Sequence, residues 1–246
     1  MPDMPQENVR VNPTAVRGVR RLELLTPDPA RSVEFHADLH GWVVLAQAND
    51  RFSCWVGERR TAHVRRPRPG ERAGWHIVFG GGQRRGPRTL TDDGSGLHAI
   101  LDTGRVTHGP WAPEPREGEP CWAELVTADP ARSDAYWAAN AGWDADPGDD
   151  QANAVYQVDG RAVAGRRTAA TDHAVGWICY LASPDIVQSV QRAVELGGRV
   201  QSGPGFTSVG HTAVVSCPDG FSHAMVENPG IWAGALTGQP AIPPAG

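Results

Sequence analysis

The sequence predicts an α+β protein made of two tandem copies, each assembled from βαβββ units. Three observations carry this. The phrase ELLTPDPARSVEFHADLHGW, residues 23–42, returns as ELVTADPARSDAYWAANAGW at 124–143, and eleven of 21 positions agree between 22–42 and 123–143. Such agreement marks an internal duplication. A weaker echo follows, GWHIVFGG at 74–81 against GWICYLAS at 176–183. Around both, period-two apolar stretches alternate with single helical stretches, the pattern of mixed strands and helices.

Each element has its own reason. RRLELLT and CWAELVT alternate as strands. TPDPARS and TADPARS then supply a helix start, with Thr or Asp to cap and Pro29 or Pro130 in the first turn. The helices ARSVEFHADLHG and ARSDAYWAANAG each end on Gly, which tolerates the left-handed conformation past a helix end. Three short strands follow in each copy: WVVLAQA, RFSCWVG and RTAHVRR, then WDADPG, NAVYQVDG and RAVAGRR. After the second echo, PDIVQSVQRAVELGG is an amphipathic helix, with Ile186, Val190, Ala193 and Val194 on one face. GHTAVVSCPDGFSHAMVE is a hairpin turning at PDG. The first copy departs here. GQRRGPRTLTDDGSG fits no amphipathic helix, so the second helix is expected to be lost or replaced by a loop at 82–95, with strands LHAILDT and RVTHGPW finishing the copy. The expected organisation is a disordered tail at 1–15, a first domain at 16–111, a Pro/Glu linker at 112–120, a second domain at 121–230 and a C-terminal tail at 231–246.

Composition narrows the function. A net charge of −5 argues against nucleic acid as a partner, because phosphate binding needs a basic face. No apolar window is long enough to span a membrane and no apolar leader opens the chain, so a cytoplasmic location is expected. The four cysteines, Cys54, Cys121, Cys179 and Cys217, form no CxxC and are expected as buried thiols. All 23 basic residues are arginine, which with abundant Ala, Gly and Pro points to a GC-rich, actinobacterial genome.

The paired units, the ELxTxDPARS opening and GHTAVVSCPDG near the end resemble the vicinal oxygen chelate superfamily, which includes glyoxalases, extradiol dioxygenases and bleomycin-resistance proteins. The resemblance covers residues 18–229 and is nearest to tandem actinobacterial members. It implies two glyoxalase-like domains whose mixed sheets curl into a U around a cavity. It also implies a divalent metal, held by His, Glu or Gln on the first and last strands of each unit. Carried over position by position, the ligand places fall on Arg21, His76, Trp122, Ile178 and Ala224. Arg and Trp cannot ligate a cation, so no metal and no other cofactor is expected. His223 and Glu227 have the other strand parity and should point away from the cavity.

What remains is acid–base and aromatic chemistry. Glu23 and Glu124 lie two residues beyond the lost ligand positions on the same face; each is a general acid or base, or a group that orients neighbouring backbone. His76 is the third catalytic candidate, because imidazole titrates near neutral pH. Among the other histidines, His36, His63, His98, His108 and His211 are weaker candidates. Nine tryptophans are many for 246 residues, and serve either packing or a planar ligand. Trp75, Trp122, Trp177, Arg21 and Tyr180 are the expected substrate-binding residues. The expected partner is a small aromatic or polycyclic molecule, bound by a monomer or homodimer. The expected function is a metal-independent enzyme of secondary metabolism that performs a cyclisation, hydration, elimination or rearrangement. The alternative is a non-catalytic protein that sequesters an antibiotic, and a metal-dependent glyoxalase or dioxygenase is disfavoured.

Overall fold

The computed structural model describes residues 15–82, 86–91, 98–108, 114–147, 152–170 and 175–237. The first copy runs β1 (Gly18–Leu25), α1 (Pro29–His40), β2 (Val43–Gln47), β3 (Arg51–Val56), β4 (Arg59–Arg65), β5 (Gly74–Gly80), β6 (Arg88–Thr91) and β7 (His98–Leu101). The second runs β8 (Pro120–Thr127), α2 (Pro130–Ala141), β9 (Asp144–Pro147), β10 (Asn153–Val158), β11 (Arg161–Thr168), β12 (Gly176–Ser183), α3 (Ile186–Glu195), β13 (Arg199–Thr207), β14 (Gly210–Ser216) and β15 (Ser222–Glu227).

The repeated phrase forms the same local machine twice. Asp28 and Asp129 cap their helices by accepting from Arg31 N at 3.2 Å and Arg132 N at 3.1 Å. Pro29 and Pro130 enter the first turn, and Gly41 and Gly142 leave at φ 66° and 73°, the left-handed region. Thr127 and Ser133 share a hydrogen bond of 2.8 Å. In the first copy Ser32 Oγ likewise lies 3.1 Å from Thr26 Oγ1, and both hydroxyls also reach Asp219 in the PDG turn of the second copy, so this copy's opening motif also docks its sister.

The strands form two mixed sheets. The first has the order β2-β3-β4-β1-β5-β7-β6, the second β13-β14-β15-β12-β8-β11-β10-β9. In both, the opening strand runs parallel to the last strand of its own unit (β4 or β11) and antiparallel to the first strand of the next (β5 or β12). Units therefore pair within each copy. Among the described residues no helix stands between β5 and β6, while residues 83–85 and 92–95 of the expected loop lie outside them. The first copy has, among the described residues, no counterpart of β13. Residues 105–108, expected as strand, are irregular, and Arg88–Thr91 supplies the strand beside β7 instead.

Strand alternation gives each sheet an inner and an outer face. The inner faces meet back to back and hold the core. Phe35 of α1 packs with Ile186, Ala193, Ala213, Val215 and Met225 of the second copy. Phe79 of β5 packs with Trp137, Trp143 and Trp177 of the second copy at ring distances of 6.3, 5.0 and 5.3 Å. The tryptophans that close the repeated phrase act reciprocally. Trp42 Nε1 donates to Gly118 O, just before β8, and Trp143 Nε1 donates to Val16 O, just before β1, each at 2.8 Å. Both termini of the expected domains are tied in. Ala15 and Val16 are buried. Residues 231–237, expected as tail, cross the second sheet: Ala233 N bonds Cys121 O at 2.9 Å and Gly234 N bonds Ala162 O at 2.7 Å. In the expected linker, Glu119 is wholly buried and paired with Arg59 at 3.1 Å and Arg116 at 2.8 Å. The four cysteines are buried and unbridged. Among the described residues no helix is long and apolar enough to cross a membrane.

The reciprocal tryptophans give a stability prediction. Trp42→Phe and Trp143→Phe each strand a buried carbonyl, and each lowers the free energy of unfolding by about 1–3 kcal/mol. Urea unfolding of the two single variants measures this, and equal stability with wild type would refute the pinning role.

Candidate functional site

The outer face of the first copy gathers charge around one carboxylate. Glu23 on β1 stands opposite His63 on β4 and His76 on β5, so an imidazole flanks it on each side. Arg21 Nη2 reaches Glu23 at 3.2 Å and Arg65 Nη2 reaches it at 3.9 Å. Arg21 Nη1 also holds Asp102 at 2.8 Å. His76 Nε2 lies 2.8 Å from Arg72 O; a carbonyl only accepts, so this bond sets the tautomer with the proton on Nε2. Burial, then the charges of Arg21, Arg60, Arg51 and Arg65, pushes the His63 imidazole down to about 4. Its Nε2 is buried with no hydrogen-bond partner.

Arg21 of this group also lines a trough of about 820 Å³. Six arginines line it, Arg20, Arg21, Arg59, Arg60, Arg105 and Arg116, together with Trp55. The Arg60 guanidinium sits 5.6 Å over the Trp55 ring. A concentration of guanidinium groups against an indole suits a flat anion: the fork geometry matches carboxylate or phenolate oxygens and the ring offers a stacking face.

The second copy keeps the carboxylate and changes everything around it. Glu124 Oε2 accepts from Tyr180 Oη at 3.0 Å and from Arg167 Nε at 3.3 Å. Burial and the Glu124 charge push the Tyr180 phenol above its ordinary range, so it stays a donor. The neighbours across the ladders are Gly165 and Ile178, where the first copy has His63 and His76. The Trp122 indole covers Gly165, where a Cβ would sit 3.1 Å from Nε1. What remains is a cavity of about 280 Å³, bordered by Trp122, Glu124, Val155, Val209 and Ile231.

Two expected ligand residues turn elsewhere. Trp75 is the register partner of Leu24 and Trp177 that of Leu125, so both indoles face inward, away from the troughs. A strand shows neighbouring residues to opposite faces, so Trp75 cannot line the same surface as His76. Trp75 packs against His36 at 5.0 Å, and Trp177 against Trp137 at 5.2 Å. Arg21, Glu23 and His76 come together in the first copy; Trp122, Glu124 and Tyr180 come together in the second. Sequence reasoning missed the roles of Trp55 and Arg60 and ranked His63 low. Trp55 and Arg60 become neighbours through a bulge between Cys54 and Trp55, which no sequence pattern announces.

Several solved structures share this fold. Homoprotocatechuate 2,3-dioxygenase from Arthrobacter globiformis superposes with TM-score 0.63 at 15% identity, over 94% of this chain and 84% of that one. The Mn(II)-bound glyoxalase from Novosphingobium aromaticivorans gives 0.60 at 13%, over 87% and 82%. The 2,2',3-trihydroxybiphenyl 1,2-dioxygenase from Sphingomonas wittichii gives 0.59 at 14%, over 93% and 98%. This is the vicinal oxygen chelate fold. No protein-family model matches the sequence, and no curated protein matches it significantly. The metal that the fold implies does not fit the outer faces. Arg21, Trp122, Ile178 and Ala224 offer no lone pair to a cation, Glu124 is taken by Tyr180 and Arg167, and Glu23 lies between guanidiniums.

The buried imidazoles set an acid limit on the fold. His63 and His108 both drop from 6.5 to about 4. For His108, burial outweighs the opposing pull of nearby Glu119. A histidine depressed in the folded state takes its proton more readily when unfolded, so stability is full above pH 6.5 and falls as pH drops toward 4. Urea midpoints across this range should decline with acidity, and the decline should lessen in His108→Gln. A flat profile, or imidazole NMR titrations near 6.5, would contradict these environments.

Proposed function

We propose that the chain is an acid–base enzyme acting on a planar aromatic or polycyclic anion held in the trough of the first copy. The observation that carries this is Glu23, flanked in register by His63 and His76 and paired with Arg21, which itself lines the trough of arginines and indole. Arg21 and Arg60 would take the carboxylate or phenolate of the ligand and Trp55 would stack on its ring. His76 would remove a proton from the bound molecule, and Glu23 would stabilise the imidazolium that forms. Returning the proton to another atom gives a rearrangement, cyclisation or elimination with no redox change. The likeness to dioxygenases and a glyoxalase concerns the fold, while the residues at the troughs support chemistry without a metal at the reacting group.

A second reading has one observation in its favour. Glu23 and Asp102 are both already held by arginines, an arrangement that fixes guanidiniums for recognition as readily as for catalysis. Under it, the protein sequesters the same class of molecule without changing it.

One experiment separates the two. With 1-hydroxy-2-naphthoate as probe, tryptophan fluorescence should report binding, and Arg21→Ala should weaken it about tenfold to a hundredfold, the loss of a charge-assisted hydrogen bond. A panel of aromatic carbon acids is then incubated with the protein in deuterated water. Enzyme activity appears as deuterium incorporation that falls about a hundredfold or more in His76→Ala and Glu23→Gln while binding persists. Binding with no exchange across the panel supports sequestration, and unchanged binding in Arg21→Ala removes the trough as the site.

A further inference from the structure

Far from both troughs, between the inner faces, three histidines converge. His36 and His40 lie one turn apart on the same face of α1, and His223 comes from β15 of the other copy. One ring nitrogen from each lies within 4.8 Å of the others, and His40 Nε2 and His223 Nε2 are 2.9 Å apart. All three are fully buried. Both nitrogens of His36 and the Nδ1 of His223 have no hydrogen-bond partner. Buried imidazole nitrogens without partners are costly, and this cluster collects three of them.

The duplication supplies a control within the molecule. The position of His36 is occupied in the second copy by Trp137, and that of His40 by Ala141. The strand registers equate His223 with Ala99: Tyr180 pairs Ala224 as Val78 pairs Ile100, one residue further on. The related core is thus filled by one indole and two methyl groups, all buried. Packing alone does not call for three imidazoles here.

We propose that His36, His40 and His223 form a binding site for a late first-row divalent cation of the Zn²⁺ type, which ties α1 of the first copy to β15 of the second. Two histidines at i and i+4 on a helix present their nitrogens to one ion, and the third ligand arrives across the interface. Ligand nitrogens on a tetrahedral zinc lie about 3.4 Å apart, given bonds of about 2.0–2.1 Å. The observed triangle reaches this with shifts on the order of 1 Å or less at each ring. The surrounding Phe35, Trp42 and Trp75 provide no anionic ligand, so the fourth position belongs to water. The Trp75 ring packs against the trio, its centroid 5.0 Å from that of His36 and 6.0 Å from that of His223. The site is independent of the outer-face chemistry proposed above.

The test uses the full chain, purified without chelator and analysed for metal content. It should hold about one equivalent of zinc. After stripping, adding ZnCl₂ should raise the melting temperature by about 5 °C or more. His40→Ala should abolish both, and so should His36→Trp/His40→Ala/His223→Ala, which installs the residues of the related core (Trp137, Ala141 and Ala99) and should remain folded. Glu124→Gln and His76→Ala should keep the equivalent. A folded wild-type chain with neither stoichiometric metal nor a zinc-dependent shift overturns the proposal. So does retention of the equivalent in His40→Ala, or its loss in the outer-face variants.

Discussion

The structure depends on one constraint: two sheets must bury the same kind of face against each other. Neither inner face is closed by its own copy. Phe35 on the first helix fills the second copy's core, and Phe79 of the first sheet is covered by Trp137 and Trp177 of the second. Burial of aromatic area drives this, and the tryptophan donors orient it. Trp42 and Trp143 each hold a carbonyl that precedes the other copy's opening strand. The duplicated phrase is therefore a docking unit as well as a strand and a helix. Its Thr, Asp, Pro and Ser shape the helix start, its Gly ends the helix, and its Trp fixes the partner.

With the inner faces committed to each other, divergence falls on the outer ones. Both opening strands carry a carboxylate at the same place. In one copy its cross-strand neighbours are His63 and His76; in the other they are Gly165 and Ile178. Arg21 keeps the first surface charged and open, and Trp122 narrows the second to a small cavity. Among the described residues the first sheet is one strand shorter than its sister.

Much of this fold was legible in the sequence because the repeat supplied its own alignment and each boundary carried a capping residue or glycine. Strand parity separates His223 from Ala224, and the same rule, applied to Trp75 beside His76, puts those two on opposite faces of the sheet. The strand at Arg88–Thr91 escaped notice because a Gly- and Arg-rich stretch has no alternation to read, and its pairing depends on β7 alone. The site was less legible. Cross-strand partners such as Glu23 and His63 are set by register, which a single sequence does not specify. The histidine trio was invisible for a stronger reason: His40 and His223 are separated by 183 positions and belong to different copies.

The reciprocal pins bear on how the chain can be divided. Helix α1 reaches the second sheet, and the segment at 231–237 crosses β8 and β11. The covalent connection near residue 115 thus does little of the holding. A polypeptide nicked there would persist as a tight pair of fragments, while either fragment alone would present a broad aromatic surface to water and aggregate.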